Sequence, residues 1–520
     1  MYSDLTKSLE ADSELREMLT ADYQARQSDD NPLLSEEEYT KGERISYITQ
    51  STLNLDEVMI TRLAQLNPMR FNYSDRGTSE LFADMFRHEL RFDVTSKEWR
   101  FYDGCVWGLD VGGMIAHQRA KALYDALMHY ACSIKDEGLQ AQFRRWYGGY
   151  GGKQRRDTLL KDAQDCMFVS ADVLDKDDNL LNLRNCTYNT ETMIFRDHSA
   201  DDLLTKCANV NYNPDASAEV FERFIRQIML DDADKIRYLQ KVLGYSITAD
   251  VSLECCWFWY GATARNGKGT LAETLAFLMG DYAATAMPET LARKQSKDSR
   301  QASGDIARLK DVRFLNVSEP PKTMLLDEQL LKTMLGRDRI TARHLHEREF
   351  EFLPKFKLHV NCNYLPQVSD LTLFKSDRVN VITFDKHFSD AERDKGLKDR
   401  LKRPENVSGL LNWLLEGLRL FKAEGAEPPK AVKDATRQYA DSSDKIGEFI
   451  RDCLQSDEQE MRIHPATVYD TFEEWCKDTG RGCESRKNLI AELRRRGLVA
   501  DRAKDDSGKW VRDLVIIPKA

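Results

Sequence analysis

Residues 252–280, SLECCWFWYGATARNGKGTLAETLAFLMG, decide the fold class of this chain. The stretch begins with a nearly continuous apolar and aromatic run of strand length, which is typical of a strand buried on both faces of a parallel sheet. After a glycine-containing loop with a lysine, LAETLAFLMG places its apolar residues on one face of a helix that ends at Gly280. A strand, a loop with a lysine and a helix, in that order, predict an α/β domain in which backbone N–H groups at the helix N-terminus face a bound phosphate.

The loop itself, GATARNGKGT, departs from a strict phosphate-binding P-loop in two places. The strict pattern puts its first glycine at the position of Ala262, and Gly261 lies one residue too early. Gly269 follows the lysine at the position where a serine or threonine hydroxyl usually binds Mg²⁺. Thr270 can supply that hydroxyl instead, the alternative being that water and phosphate alone complete the Mg²⁺ shell. The residues expected to bind ATP are Gly261, Asn266, Gly267, Lys268, Gly269 and Thr270.

Three later stretches each place a polar side chain beside a predicted strand. DVRFLNVSEP predicts a short apolar strand of the Walker B form that ends in Ser318 and Glu319, where a carboxylate can polarise water or hold it through Mg²⁺. FKLHVNCNYLP alternates and predicts a strand ending at Asn363, which can orient water or simply form a turn. In FKSDRVNVITF, Arg378 comes just before another strand, from which an arginine finger can reach the site of a neighbouring subunit.

The rest of the chain divides by composition. The segment beginning at Glu424 is rich in proline, alanine and charge and indicates a linker, and the helices that follow it, with two predicted strands around DDSG, have the order of a winged helix. The predicted domains are a polar arm at 1–74, a collar-like α+β domain at 75–212, the α/β core at 213–425, the linker at 426–444 and the winged-helix-like domain at 445–520.

One helix of that last domain is strongly basic. In a winged helix it is the helix presented to DNA, although a solvated charged face or a protein-docking module explains the same residues. The candidate DNA contacts on it are Arg486, Lys487, Arg494, Arg495 and Arg496.

Composition narrows the class of protein. The formal net charge of −10 argues against non-specific coating of nucleic acid by the whole surface, but it is compatible with a local basic channel. The 11 cysteines show no repeated Cys-x-x-Cys spacing, so we expect neither a disulfide framework nor a zinc site. The N-terminal residues are acidic and polar, and no apolar run approaches the roughly 20 residues of a membrane span, so we expect a cytoplasmic protein.

The ordered set NGKGT, RFLNVSEP, LLKTMLGRDRITARHL, LHVNCNYLP, DRVNVITF and GLLNWLLEGLRLF resembles the superfamily 3 helicase core of phage and plasmid primase-helicases, the group that includes the poxvirus primase-helicase. The resemblance covers roughly residues 75–515. It implies an AAA+ core in a homohexameric ring, ATP with Mg²⁺, and translocation on single-stranded DNA, typically 3′ to 5′. In the family's terms Lys268 matches the P-loop lysine, Glu319 the Walker B carboxylate, Asn363 the sensor amide and Arg378 the finger. The family often has an arginine pair at the finger, whereas Asp377 precedes Arg378 here.

The stretch LGRDRITARHLHEREFEFLPKFK occupies the place where this family has basic residues and a hairpin that face the ring channel. A solvated surface charge is the alternative for each residue. The candidate channel residues are Arg343, His344, His346, Arg348, Lys355 and Lys357.

We therefore expect an ATP-driven replicative helicase of a phage, plasmid or mobile element in a bacterial host, acting on single-stranded and forked DNA. Many relatives carry a primase domain, but the nearest Asp-x-Asp pair, Asp175 and Asp177, has the look of a solvated turn, so a separate primase is the expected partner. Two rival hypotheses are an AAA+ remodeller of proteins and a DNA-binding initiator that uses nucleotide only as an assembly switch.

Overall fold

The computed structural model describes residues 55–293, 304–343, 349–454, 461–480, 482–505 and 507–517. The described residues form two compact units, one from 55–103 with 108–169, the other from 104–107 with the described residues from 170 onward.

The first unit combines helices around an aromatic-rich core with a small sheet in the order β3-β2-β1-β4, in which β4 is parallel to β1. Residues 55–74 do not belong to a polar arm, because Met59 and Leu63 are buried in this core, while residues 1–54 of the expected arm lie outside the described residues. Its described helices are α1 Leu55–Leu66, α2 Asp75–Phe86, α3 Met114–Ser133, α4 Glu137–Tyr147 and α5 Lys153–Ala163. Its strands are β1 Leu90–Asp93, β2 Glu98–Tyr102, β3 Trp107–Asp110 and β4 Phe168–Val169.

The second unit contains a parallel five-stranded sheet, as the buried apolar run at its centre predicts. Its described strands are β5 Leu180–Asn182, β6 Thr187–Asn189, β7 Ile194–Arg196, β8 Cys256–Tyr260, β9 Ala283–Ala286, β10 Phe314–Ser318, β11 Ile340–Ala342, β12 Phe350–Phe352, β13 Lys357–Cys362, β14 Val379–Thr383, β15 Met461–Ile463, β16 Val499–Lys504 and β17 Trp510–Ile517. Its described α-helices are α6 Glu219–Ile228, α7 Ala233–Ser246, α8 Lys268–Met279, α9 Gly304–Ala307, α10 Glu328–Leu335, α11 Thr372–Lys375, α12 Leu397–Leu401, α13 Pro404–Glu424, α14 Lys430–Ser443, α15 Lys445–Cys453, α16 Pro465–Asp478 and α17 Arg486–Arg495.

The central sheet has the order β14-β8-β13-β10-β9, with every neighbouring pair parallel. β13 lies between β8, the strand before the loop, and β10, the strand before Glu319. The carboxyl ends of β8, β13 and β10 still meet at one edge of the sheet, with Asn363 following the middle strand.

The segment expected to be a linker is instead a packed helix. α14 buries Val432 and Tyr439, and the Tyr439 hydroxyl donates to the carbonyl of Pro366 at 2.6 Å. The Thr436 hydroxyl oxygen accepts from the backbone N–H of Val381 at 2.9 Å, so it caps a donor of the edge strand β14. Residues 430–443 are therefore part of the core rather than a tether.

The boundary expected at residue 212 also lies elsewhere. Strands β5, β6 and β7 form an antiparallel meander, and its residues Leu181, Leu183 and Tyr188 join the same apolar cluster as helices α6, α7 and α8. Helix α6 is amphipathic, and its apolar residues Phe221 and Phe224 are buried in that cluster.

The last part of the chain follows the order helix, strand, helix, helix, strand, strand. The expected helices and the hairpin around DDSG are present as α15, α16, α17, β16 and β17. Ser485 caps α17, its hydroxyl oxygen accepting from the N–H of Asn488. A further strand, β15, pairs antiparallel with β17 and completes a three-stranded sheet in the order β15-β17-β16.

Candidate functional site

The candidate site lies at the carboxyl edge of the central sheet, where Lys268 begins helix α8. Lys268 is 6% exposed, and its ammonium donates to Oδ1 of Asn363 at 3.0 Å and to the carbonyl of Gly261 at 3.4 Å. Burial lowers the pKa of Lys268, while the nearby Cys362 and Glu319 act to raise it. The lysine is thus held in a nearly dry place by two uncharged oxygens.

The loop before Lys268 is shaped by close contacts that only glycine allows. Gly267 has a φ of +84°, and a Cβ there would come within 2.5 Å of Ile228 and 3.2 Å of the Phe224 ring. A Cβ on Gly261 would meet the side-chain amide of Asn266 at 2.0 Å. Asn266 itself is 4% exposed and donates to the carbonyl of Thr263 at 2.6 Å, so its amide braces the loop from inside. The irregular glycine spacing therefore serves a folded loop with its own internal support.

Gly269 differs from Gly261 and Gly267, since a Cβ placed on it would have nothing within 4 Å. Packing therefore does not impose a glycine at the position where serine or threonine usually stands. Thr270 lies one residue further along the first turn of α8 and is half-buried.

Glu319 is held at the same edge through the backbone. Its side chain is exposed, its φ is +52°, and its N–H donates to the carbonyl of Asn361 at 2.7 Å. This bond ties the residue after β10 to β13, the strand that also leads to Asn363.

A buried amide pair that the sequence analysis missed supports this corner. Asn361 donates to Oδ1 of Asn316 at 2.7 Å, and Asn316 donates to the hydroxyl of Ser318 at 2.9 Å. Both asparagines are at least 94% buried, because they are 4% and 6% exposed. The available signal was the alternation of polar residues along an otherwise apolar strand, Lys357, His359, Asn361 and Asn363.

Arg378 lies at the opposite side of the sheet from Lys268, at the amino ends of the parallel strands. It precedes β14, whose first residue pairs with the first residue of β8, and its carbonyl accepts from the N–H of Cys256 at 2.9 Å. Its guanidinium forms an ion pair with Glu254 at 3.1 Å. One chain therefore brings Lys268, Glu319 and Asn363 to one edge and leaves Arg378 at the other.

The candidate channel residues have different environments. Arg343 follows β11 and is half-buried, and β11 pairs with β12 in an antiparallel hairpin. His344, His346 and Arg348 lie outside the described residues.

Lys355 and Lys357 are structural residues, which corrects their expected role in binding DNA. Lys355 forms ion pairs with Asp311 at 2.6 Å and Asp178 at 2.7 Å, and although burial opposes it, these carboxylates raise the pKa of Lys355. Lys357 is 2% exposed, its ammonium donates to carbonyls that include those of Thr248 and Asp250, and burial lowers its pKa. The Lys357 ammonium is thus enclosed by carbonyl oxygens and the Lys355 ammonium is neutralised by two carboxylates, so neither offers an unpaired charge to DNA.

The basic helix α17 divides into paired and exposed cations. Arg486 and Lys487 are exposed at its start. Arg494 pairs with Asp501 and Asp513, Arg495 pairs with Glu492, and Arg496 pairs with Asp444 and Glu492. The exposed pair is therefore better placed to meet a phosphate than the three arginines at the end of the helix.

Comparison with known proteins bears on the class. A family model described as D5 N terminal like matches residues 79–230. Three relatives are named as putative helicases. A protein of Acanthamoeba polyphaga mimivirus is 28% identical over 61% of this chain and 35% of its own length. A protein of Invertebrate iridescent virus 3 is 24% identical over 59% of this chain and 36% of its own. A Frog virus 3 protein is 29% identical over 42% of this chain and 24% of its own.

Among solved structures, the apo form of the C-terminal region of NrS-1 covers 82% of this chain and 96% of that chain, with 12% identity and a TM-score of 0.45. Within the described part of the chain, no helix is long and apolar enough to cross a membrane.

The fold and the site define an α/β protein with a lysine-bearing loop at the carboxyl edge of a parallel sheet. The resemblance drawn from its motifs is confirmed, and the chain is related to the D5-type primase-helicases. It spans about a third or less of the length of the curated relatives it matches. Those relatives come from viruses of eukaryotes, so they do not support the bacterial host expected from the sequence.

Proposed function

We propose that this chain is an ATP-dependent DNA helicase that works as an AAA+ ring on single-stranded and forked DNA. The observation that carries the proposal is the buried ammonium of Lys268 at the start of α8, held by Asn363 and the Gly261 carbonyl. The names of the viral relatives support a helicase-type activity.

The residues at this edge fit a nucleoside triphosphate with Mg²⁺. The backbone N–H groups at the start of α8 and the Lys268 ammonium offer positive charge to a phosphate. The ammonium bonds only to uncharged oxygens, so its charge is available to attract a negatively charged phosphate oxygen. The Thr270 hydroxyl and the Glu319 carboxylate are the oxygen donors we assign to Mg²⁺, which prefers such ligands. When bound, ATP with Mg²⁺ supplies the phosphoanhydride bond whose hydrolysis drives the motor.

The side chains at this edge have complementary roles in hydrolysis. Lys268 binds and neutralises phosphate oxygens, Glu319 polarises the attacking water, and Asn363 orients that water while it holds the lysine. Positioning of this kind contributes on the order of 10² to 10⁴ in rate. Arg378 is assigned to the site of a neighbouring subunit, where an arginine finger is worth roughly 10³ to 10⁵.

Further features support the AAA+ and winged-helix assignments. If the five strands of the central sheet are numbered 1 to 5 in chain order, they lie in the order 5-1-4-3-2 across the sheet. The strand before Asn363 therefore lies between the strand before the loop and the strand before Glu319. The order of elements after residue 445, with a helix that exposes Arg486 and Lys487, supports a winged helix that meets DNA. The hairpin β11–β12 and its residue Arg343 are proposed to face the DNA in the ring channel. A homohexamer, 3′ to 5′ direction and a separate primase partner complete the proposal.

Strand displacement by the purified protein tests it. We expect unwinding of a duplex with a 3′ single-stranded tail, abolished by Lys268→Ala and retained by Lys430→Ala, which changes an exposed lysine on α14. ATPase activity that single-stranded DNA does not stimulate, without unwinding, contradicts the helicase. Sequence-selective duplex binding with slow hydrolysis would instead indicate the initiator, and stimulation by unfolded protein would indicate the remodeller.

A further inference from the structure

The three-stranded sheet near the end of the chain has one face that α17 does not cover. Asp501 and Asp513 pair with Arg494 of α17, so their side of the β16–β17 hairpin faces that helix. Residues alternate between the two faces of a strand, so the neighbours of these aspartates point the other way. Register pairs Arg502 with Arg512 and Lys504 with Trp510 on this second side.

This outer face, which we call the wing face, carries basic and aromatic side chains. Its residues are Arg462, Arg502, Lys504, Trp510 and Arg512. The remaining positions on this side of the described strands are Ala500, Leu514 and Ile516, of which Leu514 is buried, so the strands place no carboxylate there.

Trp510 is the centre of the wing face. It is 56% exposed although tryptophan is usually largely buried. The guanidinium of Arg502 lies 5.1 Å from its ring centroid and the ammonium of Lys504 lies 5.6 Å from it. An exposed aromatic ring with two cations over it combines a stacking surface with phosphate-binding charge.

Two of the cations on the wing face lie opposite each other across the hairpin. Arg502 and Arg512 stand directly opposite each other on antiparallel strands, where like charges are destabilising. An anion that binds across both strands would remove this repulsion. Duplex bases are stacked on each other, so only an unpaired base offers its face to the Trp510 ring.

We infer that the wing face is a binding site for single-stranded nucleic acid, which stacks a base on Trp510 while Arg502, Lys504 and Arg512 contact the backbone. The surface is distinct from the candidate contacts on α17 and from the hairpin β11–β12. The inference rests on the proposed function in one respect only, which is that the natural single-stranded ligand is DNA.

Binding of a short fluorescein-labelled oligothymidylate to the full chain, followed by fluorescence anisotropy without nucleotide, tests the inference. Trp510→Ala should weaken binding about 5- to 150-fold, the range that corresponds to one stacked base. Trp510→Tyr should retain most of the affinity because it keeps an aromatic face, whereas Trp510→Leu should lose as much as alanine. Lys477→Ala, which changes an exposed lysine on α16 of the same domain, should have no effect.

A salt series separates the charges from the ring. Arg512→Ala should reduce the slope of log affinity against log salt by about 0.7, the value for one phosphate contact on a single strand. An unchanged slope overturns the inference, as does wild-type affinity of Trp510→Ala or of Trp510→Leu. Equal weakening of a blunt duplex and the single strand by Trp510→Ala also overturns it, because base stacking then plays no part.

The two proposals fail separately. ATPase activity that survives Lys268→Ala would contradict the helicase proposal, but it would not affect the oligothymidylate-binding measurement, which uses no nucleotide. Conversely, full helicase activity and unchanged oligothymidylate binding in Trp510→Ala would contradict only the inference that the wing face binds single-stranded nucleic acid.

Discussion

Two glycines that flank Lys268 have different reasons for being glycine. Gly267 has a left-handed φ and its Cβ would clash with Ile228, whereas a Cβ on Gly269 would meet nothing within 4 Å. We expect Gly267→Ala to destabilise the protein by about 2–4 kcal/mol, from the left-handed conformation and from overpacking, and to abolish ATP binding. Gly269→Ala should be neutral or stabilising by up to about 1 kcal/mol, since alanine favours a helix.

Urea unfolding and the binding of a fluorescent ATP analogue measure both effects. Gly269→Ala is the matched control, because it adds the same methyl group two positions away. Equal stability losses in the two variants would show that the loop is not shaped by the contact between Gly267 and Ile228.

At the scale of elements, the central strand β13 carries an acid-sensitive residue. His359 is fully buried, stacks on Trp257 and Phe314, and places Nε2 3.0 Å from the Ser246 hydroxyl, while Nδ1 has no partner. Burial lowers the pKa of His359 to about 3. The unfolded chain therefore takes up the proton first as pH falls below about 6.5, and stability is lost from there downward.

Between pH 6.5 and pH 5 the loss should be about 1.7 kcal/mol, because the histidine of the unfolded chain goes from half-protonated to almost fully protonated while the folded one stays neutral. We expect His359→Phe to remove this component of the pH dependence, because phenylalanine fits the aromatic surroundings and the Ser246 hydroxyl keeps its bond to the Val242 carbonyl. Denaturant unfolding monitored by tryptophan fluorescence at the two pH values measures it. His129→Gln, a change at an exposed histidine of α3, should keep the wild-type difference. A His359→Phe protein with the wild-type loss would refute the assignment.

The same elements show what the sequence could and could not predict. The buried strand β8, the loop and α8 followed from apolar periodicity and loop chemistry, because those are local properties, and Asn363 was placed correctly at a strand end. The position of β13 between β8 and β10 depends on long-range pairing that no local pattern encodes. α14 was mistaken for a linker because Val432 and Tyr439 are its only buried residues and most of its other side chains are small or polar. Lys357 was mistaken for a DNA contact because two of its carbonyl partners, Thr248 and Asp250, lie more than 100 positions away in the sequence.

At the scale of the whole molecule, Lys268 and Arg378 lie at opposite ends of the central strands, which bears on how copies of the chain would assemble. Lys268 follows the carboxyl end of β8, and Arg378 lies beside the amino end of the same strand. A strand of five residues separates them by about 16 Å. Within its own chain Arg378 is paired with Glu254 rather than with the Lys268 edge, so in the proposed ring it would reach that edge from a second copy. The proposed ring therefore predicts that the two residues act in trans.

Mixed rings test this prediction. Lys268→Ala and Arg378→Ala should each abolish ATPase activity, and an equimolar mixture should recover about a quarter of the wild-type rate, because one interface in four of a random ring combines an intact lysine with an intact arginine. The matched control mixes Lys268→Ala with Asn363→Ala. These two residues touch each other within one chain, so no mixture of them can rebuild a site. Recovery in the control mixture, or its absence in the first, would show that Arg378 does not complete the site of a neighbour.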